Sequence, residues 1–522
     1  MPAKRYAGTI LTSAGLIGLF SLVSRAVGLV RDRLLAGSFG AGETLDAYYA
    51  AFKLPDFLYN LLVLGALTAA FVPVVGGLLA KGKSNQANRV ASGVLNLLAL
   101  SLIVLSGLAL LLTPQIAKLI APGFSPDQLE LTIRLTRIML LSPIIFGVAS
   151  VASSYLNATK RFAAYAIAPV LYNVGIIVGI TLLVPWLGPI GLAWGVIAGA
   201  LLNLLVQIPA LLRSGFRYSW RVPLNEAGVL RVLTLAGPRV ISVAAMQINV
   251  VVITAIATWY ESGTVSAYNL AFNMQSLPLG LVGLSLATAV FPYLAEAASR
   301  NDSNGFIAHL VATLRQLFFL IVPMSVVLIV LRVPIVRLVF GTGAFDFTDT
   351  YTTAAALGVF ALSLFAQSAV PVLARAFYSL QDTRTPVLIS IFSVVVNIVA
   401  ALLLAPKLDV MGLAAAFSLA ALVDFVLHVI LLRNRLGNLR DVELIGSVLR
   451  VIVASALAGA ATLGTAYVLE QLIPLQTVLE VLLLLVVAGL AGLVVYLLAH
   501  LALGGRELRE VATTLRRRPL ER

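Results

Sequence analysis

Apolar residues in this chain run in long blocks interrupted by Gly, Pro and charge, with none of the short alternation that marks strands. Read with those breaks, the pattern predicts fourteen helices, near 7–30, 46–80, 88–112, 131–157, 162–186, 189–213, 229–259, 265–295, 307–331, 349–379, 384–405, 410–433, 446–470 and 474–504. A bilayer core about 30 Å thick takes roughly 20 apolar residues, so each window is long enough to cross it. Several exceed 25 residues, which predicts tilt, kinks at Pro55, Pro278 and Pro371, or extension beyond the lipid. The expected fold is an all-α polytopic membrane protein. The first window follows Lys4 and Arg5 much as a signal peptide would, but no small-residue cleavage site precedes its charged end, and retention is expected.

Composition agrees with this reading. Of 522 residues, 60% are hydrophobic and 11% charged, with a mean hydropathy of +1.01. A soluble chain carries nearer a quarter charged residues, and no stretch is left for a sizeable soluble domain. The 36 Lys and Arg against 22 Asp and Glu give a net charge of +14. In a soluble protein that excess would suggest nucleic acid; here the positive-inside rule accounts for it, and no nucleic-acid partner is expected. With both termini cytoplasmic, about 23 of the basic residues fall on the inner side, among them Lys81, Lys83, Arg89, Lys160, Arg161, Arg433 and the Arg516–Arg518 tail. The absence of cysteine excludes disulfides, thiolate metal sites, iron–sulfur clusters and a cysteine nucleophile. His309, His428 and His500 lie too far apart in sequence to suggest a metal pair, and no cofactor is expected.

The chain repeats itself. Ala47-Tyr48 with Ala51-Phe52 recurs as Ala267-Tyr268 with Ala271-Phe272, a shift of 220 (267 − 47). Leu67–Pro73 is echoed by Leu286–Pro292, Asn173 by Asn397, and Gly191-Leu192-Ala193 by Gly412-Leu413-Ala414. Four echoes in one order at nearly one offset mark an internal duplication. Six predicted helices per repeat is an even number, so the halves insert with the same orientation. This predicts two six-helix lobes related by a pseudo-twofold axis along the membrane normal, with a cavity between them. The expected divisions are 1–217, 218–440, and 441–522 for two appended helices and a basic cytoplasmic tail.

The ionisable residues placed to border a cavity fall in the first repeat. Gly18, Ser21, Arg25, Gly28 and Asp32 fall within about 80° of one helical face, a stripe suited to protein or water and not to lipid. Arg31 and Arg33 flank Asp32, and Asp46 and Lys53 open the second window. An arginine at mid-bilayer costs roughly 2.5–3.5 kcal/mol even on the lenient insertion scale, so such residues line wet cavities or pair with each other. The alternative is that Arg25 snorkels to the outer surface while Arg31 and Asp32 form a loop pair. Shifted by 220, Arg25, Arg31, Asp32, Asp46 and Lys53 land on Ala245, Val251, Val252, Ser266 and Asn273. A cavity positive on one wall and apolar or amide-lined on the other suits an amphiphile with an anionic head, and arginine binds phosphate oxygens in bidentate fashion. The candidate substrate-contacting residues are Arg25, Arg31, Asp32, Asp46, Lys53 and Asn273.

Other polar positions carry less. Asp424 and His428, four apart, are expected to pair across one helical turn, and Asp346 and Asp349 to start a helix. Gln247, Asn249, Asn273 and Gln275 suit either interhelical hydrogen bonds or substrate contacts. Arg239 reads as an interfacial anchor, and Arg315 and Arg375 as reaching the inner surface.

Ser24-Arg25-Ala26-Val27-Gly28-Leu29-Val30-Arg31-Asp32, followed by Phe39–Gly42, Asp46-Ala47-Tyr48, Phe52-Lys53-Leu54-Pro55, Gly65-Ala66 and Ala70–Pro73, closely resembles the opening of the MurJ (MviN) lipid II flippases. Phe377-Tyr378-Ser379 with Asp382 and Thr385-Pro386 resembles that family's stretch between its tenth and eleventh helices. The resemblance implies a member of the multidrug/oligosaccharidyl-lipid/polysaccharide exporter superfamily in the bacterial cytoplasmic membrane. Such a protein moves undecaprenyl-pyrophosphate-linked peptidoglycan precursor outward by alternating access. It further implies that Arg25, Arg31 and Asp32 line a central cavity with Asp46 nearby, and that the last two helices form a lipid-facing groove for the polyprenyl tail. A monomer is expected, although the sequence itself carries no signal of oligomeric state.

The chain departs from the family where Tyr59-Asn60 replaces a basic pair and Asn273 an arginine. Ile253 and Ala401 replace groups of a proposed sodium site, although Asn397 and Ser418 remain. Head-group binding is therefore expected to lean on the first lobe. Two other classes are open to the sequence: a flippase for another polyprenyl-linked oligosaccharide, or a small-molecule exporter of the same architecture. An exporter of cations would call for buried carboxylates on a wall where bases predominate. A membrane enzyme would need a general base and a metal-binding cluster that the short outer connectors lack.

Overall fold

A computed structural model describes residues 2–64, 71–220 and 227–508, with side chains apart from 2–17, 64, 227, 233 and 235–242. The expectations for the Arg516–Arg518 tail, for 67–70 of the second echo and for the Arg239 side chain lie outside the described residues.

All the described elements are helices. In chain order they begin with α1 (Pro2–Phe39), α2 (Glu43–Ala51), α3 (Lys53–Tyr59), a π-helical turn at Asn60–Leu64, α4 (Val72–Ala80), α5 (Ser84–Ile120), α6 (Pro126–Met139) and α7 (Ser142–Ala158). Then come α8 (Phe162–Val178), a second π turn at Gly179–Leu183, α9 (Val184–Leu187), α10 (Ile190–Leu205), α11 (Ile208–Arg213) and α12 (Ala227–Ala257). The chain continues through α13 (Thr264–Pro278), a third π turn at Leu279–Leu284, α14 (Ser285–Ser299), α15 (Ser303–Val330), α16 (Arg332–Phe340), α17 (Phe347–Leu362) and α18 (Leu364–Ser379). It ends with α19 (Arg384–Leu436), α20 (Asp441–Leu472) and α21 (Val478–Ala502).

The predicted windows fall on these helices or on consecutive groups of them, with 384–405 and 410–433 sharing α19 and 65–70 of the second window outside the described residues. Among the described residues, nine helices are long and apolar enough to cross a membrane, or ten when α17 and α18, bent by 45°, are taken as one span. One of the nine is α19, whose 53 residues would measure about 80 Å if straight, more than twice the lipid core. Asp409 interrupts it with non-helical angles (φ 47°, ψ −127°), so two helices meet there, as the windows at 384–405 and 410–433 anticipate.

The expected proline kinks are displaced or absent. The break expected at Pro55 falls at Phe52, because proline lacks the N–H that would bond to the Ala51 carbonyl. Thr136 of α6 donates its hydroxyl to that carbonyl at 3.4 Å, a repair from a neighbouring helix. Pro278 leads into the third π turn. Pro371 lies inside an unbroken α18, and the 45° bend falls at Ser363 instead.

Contacts divide the chain into two compact units, Met1–Ser266 with Thr342–Phe345, and Ala267–Gly341 with Asp346–Arg522. These units cut the chain elsewhere than the repeat boundaries at 217 and 440. The described part of α12 packs in the first unit: Val229 and Val232 share a core with Phe71, Val90, Val94, Val151 and Tyr155. The second unit is built around Leu294, Phe306, Leu314, Phe318, Leu373, Phe377 and Leu432. Large apolar side chains such as Leu111, Leu403, Leu479 and Leu498 stay exposed along the long helices, as lipid permits and water does not.

The duplication reaches into backbone detail. The π turns at Asn60–Leu64 and Leu279–Leu284 recur at a shift of 219 (279 − 60). A Cβ on Gly191 would meet Leu183 and Val184 backbone atoms at 2.6 Å, and one on Gly412 would meet Leu404 and Ala405 backbone atoms at 2.5–2.6 Å. The same glycine makes the same close helix approach in both halves.

Candidate functional site

The polar wall of the first unit is assembled from α1, α2, α3 and α8. Arg31 lies late in α1, with its side chain 22% exposed beside a buried Asp32. Its Nε and Nη2 donate to Asp32 Oδ1 at 2.9 and 2.7 Å, and its Nη1 donates to Asn173 Oδ1 at 2.9 Å. Asn173, on α8, is fixed in turn by donating its amide to the Pro169 carbonyl at 3.1 Å. Three of the five guanidinium N–H groups are thereby committed, and the fork is held in one orientation. Arg25, two turns earlier on α1, is half-buried.

Asp46 is differently employed. It is 2% exposed, and its Oδ1 accepts from the Ser266 N–H at 2.7 Å and the Ser266 hydroxyl at 2.5 Å, while Oδ2 accepts from the Gly263 N–H at 2.7 Å. Gly263 and Ser266 open α13, so Asp46 caps a helix other than its own. Gly263 has φ +94° and passes so near Ala41 that a Cβ would lie 2.1 Å from its carbonyl oxygen, which only glycine accommodates. Segment Thr342–Phe345 also docks in this unit: the Ala344 N–H donates to the Gly37 carbonyl at 2.8 Å.

Lys53, at the start of α3, is half-buried and interacts electrostatically with Asp56 one turn on. Asn273 lies half-buried on α13 in the second unit, its carbonyl accepting from the Ser276 hydroxyl at 2.6 Å. Among the expected residues the structure thus joins Arg31 to Asp32. The partners Asn173 and Ser266 were visible in the sequence only as repeat echoes, and Asp56 had no signal beyond being acidic within an apolar window.

In the second unit, Asp424 and His428 approach to 2.8 Å across one turn, and Asp346 and Asp349 form a capping box at the start of α17. Gln275 accepts from Gln367 at 3.1 Å, an interhelical bond. Arg315, expected at a surface, is instead engaged by two carboxylates. It is 7% exposed, donating from Nε and Nη2 to Glu507 Oε1 at 2.9 and 2.7 Å and from Nη1 to Glu443 at 2.7 Å. An apolar cavity of about 420 Å³ lies between α15, α18, α19 and α20, with Phe318, Val322, Phe365, Phe425, Val448 and Ile452 in its walls.

A duplicated bundle of long apolar helices with ionisable side chains buried among them defines a polytopic membrane protein. A solved multidrug transporter of the MATE family in an inward-facing conformation superposes with a TM-score of 0.67 over 80% of this chain and 96% of its own, at 16% identity, a likeness of fold alone. A structure described as lipid II flippase MurJ, inward closed conformation, reaches a TM-score of 0.76 over 93% of this chain and 97% of its own, at 25% identity. The family profile for "Lipid II flippase MurJ" matches residues 35–502. The "Probable lipid II flippase MurJ" of Rhizobium meliloti (strain 1021) is 31% identical over 517 residues, covering 96% of this chain and 95% of its own length. The "Lipid II flippase MurJ" of Burkholderia cenocepacia is 32% identical over 443 residues, covering 82% and 83%. The chain belongs to the MurJ lipid II flippase family.

Proposed function

We propose that this chain carries lipid II from the inner to the outer leaflet of a bacterial inner membrane, and the family match over residues 35–502 carries that reading. The work is physical. Drawing a pyrophosphoryl glycopeptide bare through hydrocarbon costs many kcal/mol, because its polar groups lose water without gaining partners. The protein substitutes its own donors, and no covalent step is needed. Arg25, Arg31 and Lys53 supply positive charge; the Asp32 and Asn173 brace keeps the Arg31 fork oriented before the pyrophosphate arrives, which lowers the entropic cost of binding. Asp46 serves by tying the start of α13, and Asn273 offers an amide to the head group. The apolar cavity beside α20 takes part of the polyprenyl tail. The chain acts as a monomer with fourteen crossings, a duplicated six-helix arrangement plus two appended helices, and both termini in the cytoplasm.

Complementation tests this. In cells depleted of their resident lipid II flippase, this chain is expected to restore growth and outer-leaflet lipid II, and the Arg25→Ala, Arg31→Ala double variant to lose at least tenfold of that flux at equal abundance. Failure of the inserted parent chain to restore lipid II export would refute the function. Full activity of the double variant would refute the site.

A further inference from the structure

The first unit holds a half-open cavity of about 400 Å³ between α3, α7, α8 and α10. Asp56 is the charged residue on its wall, and Tyr59, Phe146, Tyr165 and Tyr172 supply aromatic rings. Several of its polar groups are satisfied by protein. The Tyr59 hydroxyl pairs with Ser150 at 3.0 Å, Ser142 donates to the Met139 carbonyl at 2.8 Å, and Ser153 donates to Gln207 at 2.7 Å. The Asp56 carboxylate stands apart: it is exposed to the cavity and, among the described residues, accepts no hydrogen bond. The charge of Lys53 acts on it along the helix. The hydroxyls of Tyr165 and Tyr172 likewise have no hydrogen-bond partner among the described residues.

A carboxylate with no hydrogen-bond donor from the protein is left to water or a cation. The wall around it is selective by chemistry. An anion would face Asp56 across the cavity. A divalent metal would want several oxygen ligands of its own, and one carboxylate stands here among rings. An ammonium group fits both features: its N–H bonds go to the carboxylate and to phenol oxygens, while the ring faces stabilise its charge. The volume is in the range that holds a small molecule.

We infer that this cavity binds an organic ammonium group, with Asp56 as counter-ion and the Tyr165 and Tyr172 hydroxyls as further acceptors. The site itself does not depend on the lipid II reading; only a head-group source of its ligand rests on that reading. Its ligand is either an amine on the flipped glycopeptide or a free organic cation, which present the same chemistry.

Equilibrium dialysis of the purified full chain in detergent against radiolabelled benzylamine, protonated at pH 7, tests the site. Saturable binding is expected, weakened at least tenfold by Asp56→Asn and several-fold by combined Tyr165→Phe and Tyr172→Phe, with benzenesulfonate unable to compete. Parental affinity in Asp56→Asn, or equal competition by benzenesulfonate on the unaltered chain, overturns the proposal. The competition arm needs no variant and stands even if Asp56→Asn fails to fold. Vesicle translocation of lipid II with free or acetylated amines then separates the sources. A head-group ligand makes acetylated lipid II slower in the parent only, whereas a free cation leaves both substrates equal; either result is read alongside intact benzylamine binding. Should the chain bind benzylamine yet move no lipid II, the flippase reading falls and this site stands.

Discussion

Asp46 and Arg31 differ in what remains of their hydrogen-bonding capacity. Both carboxylate oxygens of Asp46 are occupied by the start of α13, so its charge is spent on architecture. Asp46→Asn replaces one acceptor with a donor facing the Gly263 N–H, and an unsatisfied buried pair results. We expect a loss of about 2–3 kcal/mol in unfolding free energy, seen as a lower denaturation midpoint in detergent, with Ser266→Ala costing less because the backbone N–H bonds survive. Arg31 is braced on one side, with three of its five N–H groups committed. The sequence made the Arg31–Asp32 neighbourhood legible because the residues are adjacent. It could not show Asn173, 142 residues away, as the third member, since only the packing of α1 on α8 brings that amide into reach.

At the scale of elements, α8 and its following π turn meet α10 through glycines at four-residue spacing. A Cβ on Gly175 would lie 2.2 Å from Gly199 Cα, and one on Gly179 would lie 2.4 Å from Gly195 Cα. Apolar side chains gain little from each other when lipid is as apolar as they are, so close backbone approach and dispersion hold such a pair. Gly179→Val should therefore force the helices apart and lower stability by roughly 1–3 kcal/mol, while Gly107→Val, with nothing within 4 Å of its Cβ, should leave the thermal midpoint unchanged. The windows and the duplication were readable because blocks and echoes are local patterns. The bend at Ser363 and the break at Phe52 were not, since a proline names a missing donor but not the residue at which the helix yields.

At the scale of the molecule, the second unit is tied by a buried network at its end. Glu507 is fully buried beyond α21, accepting from Arg315 of α15, from the Ser447 hydroxyl of α20 at 2.6 Å, and meeting His500 of α21 at 3.0 Å. Burial pushes its carboxyl up, but the bonds from Ser447 and Arg315 outweigh that and hold it down at about 2. A folded value below the ordinary glutamate value means the stabilisation is complete above about pH 4.5 and is lost as pH falls toward 2. Thermal midpoints should fall across that window, and Glu507→Gln should flatten the slope while costing about 3–5 kcal/mol at neutral pH through the uncompensated arginine. None of this was legible in the sequence, where Arg315 reads as reaching the inner surface and Glu507 as part of a basic tail, because 192 residues separate the partners.

The joint at Asp409 is a single residue with backbone angles that side chains other than glycine rarely adopt. Two rods joined through one residue have no slack between them: neither can slide or lengthen without dragging its neighbour, so segments 384–405 and 410–433 are tied at that end like the two limbs of a pair of compasses.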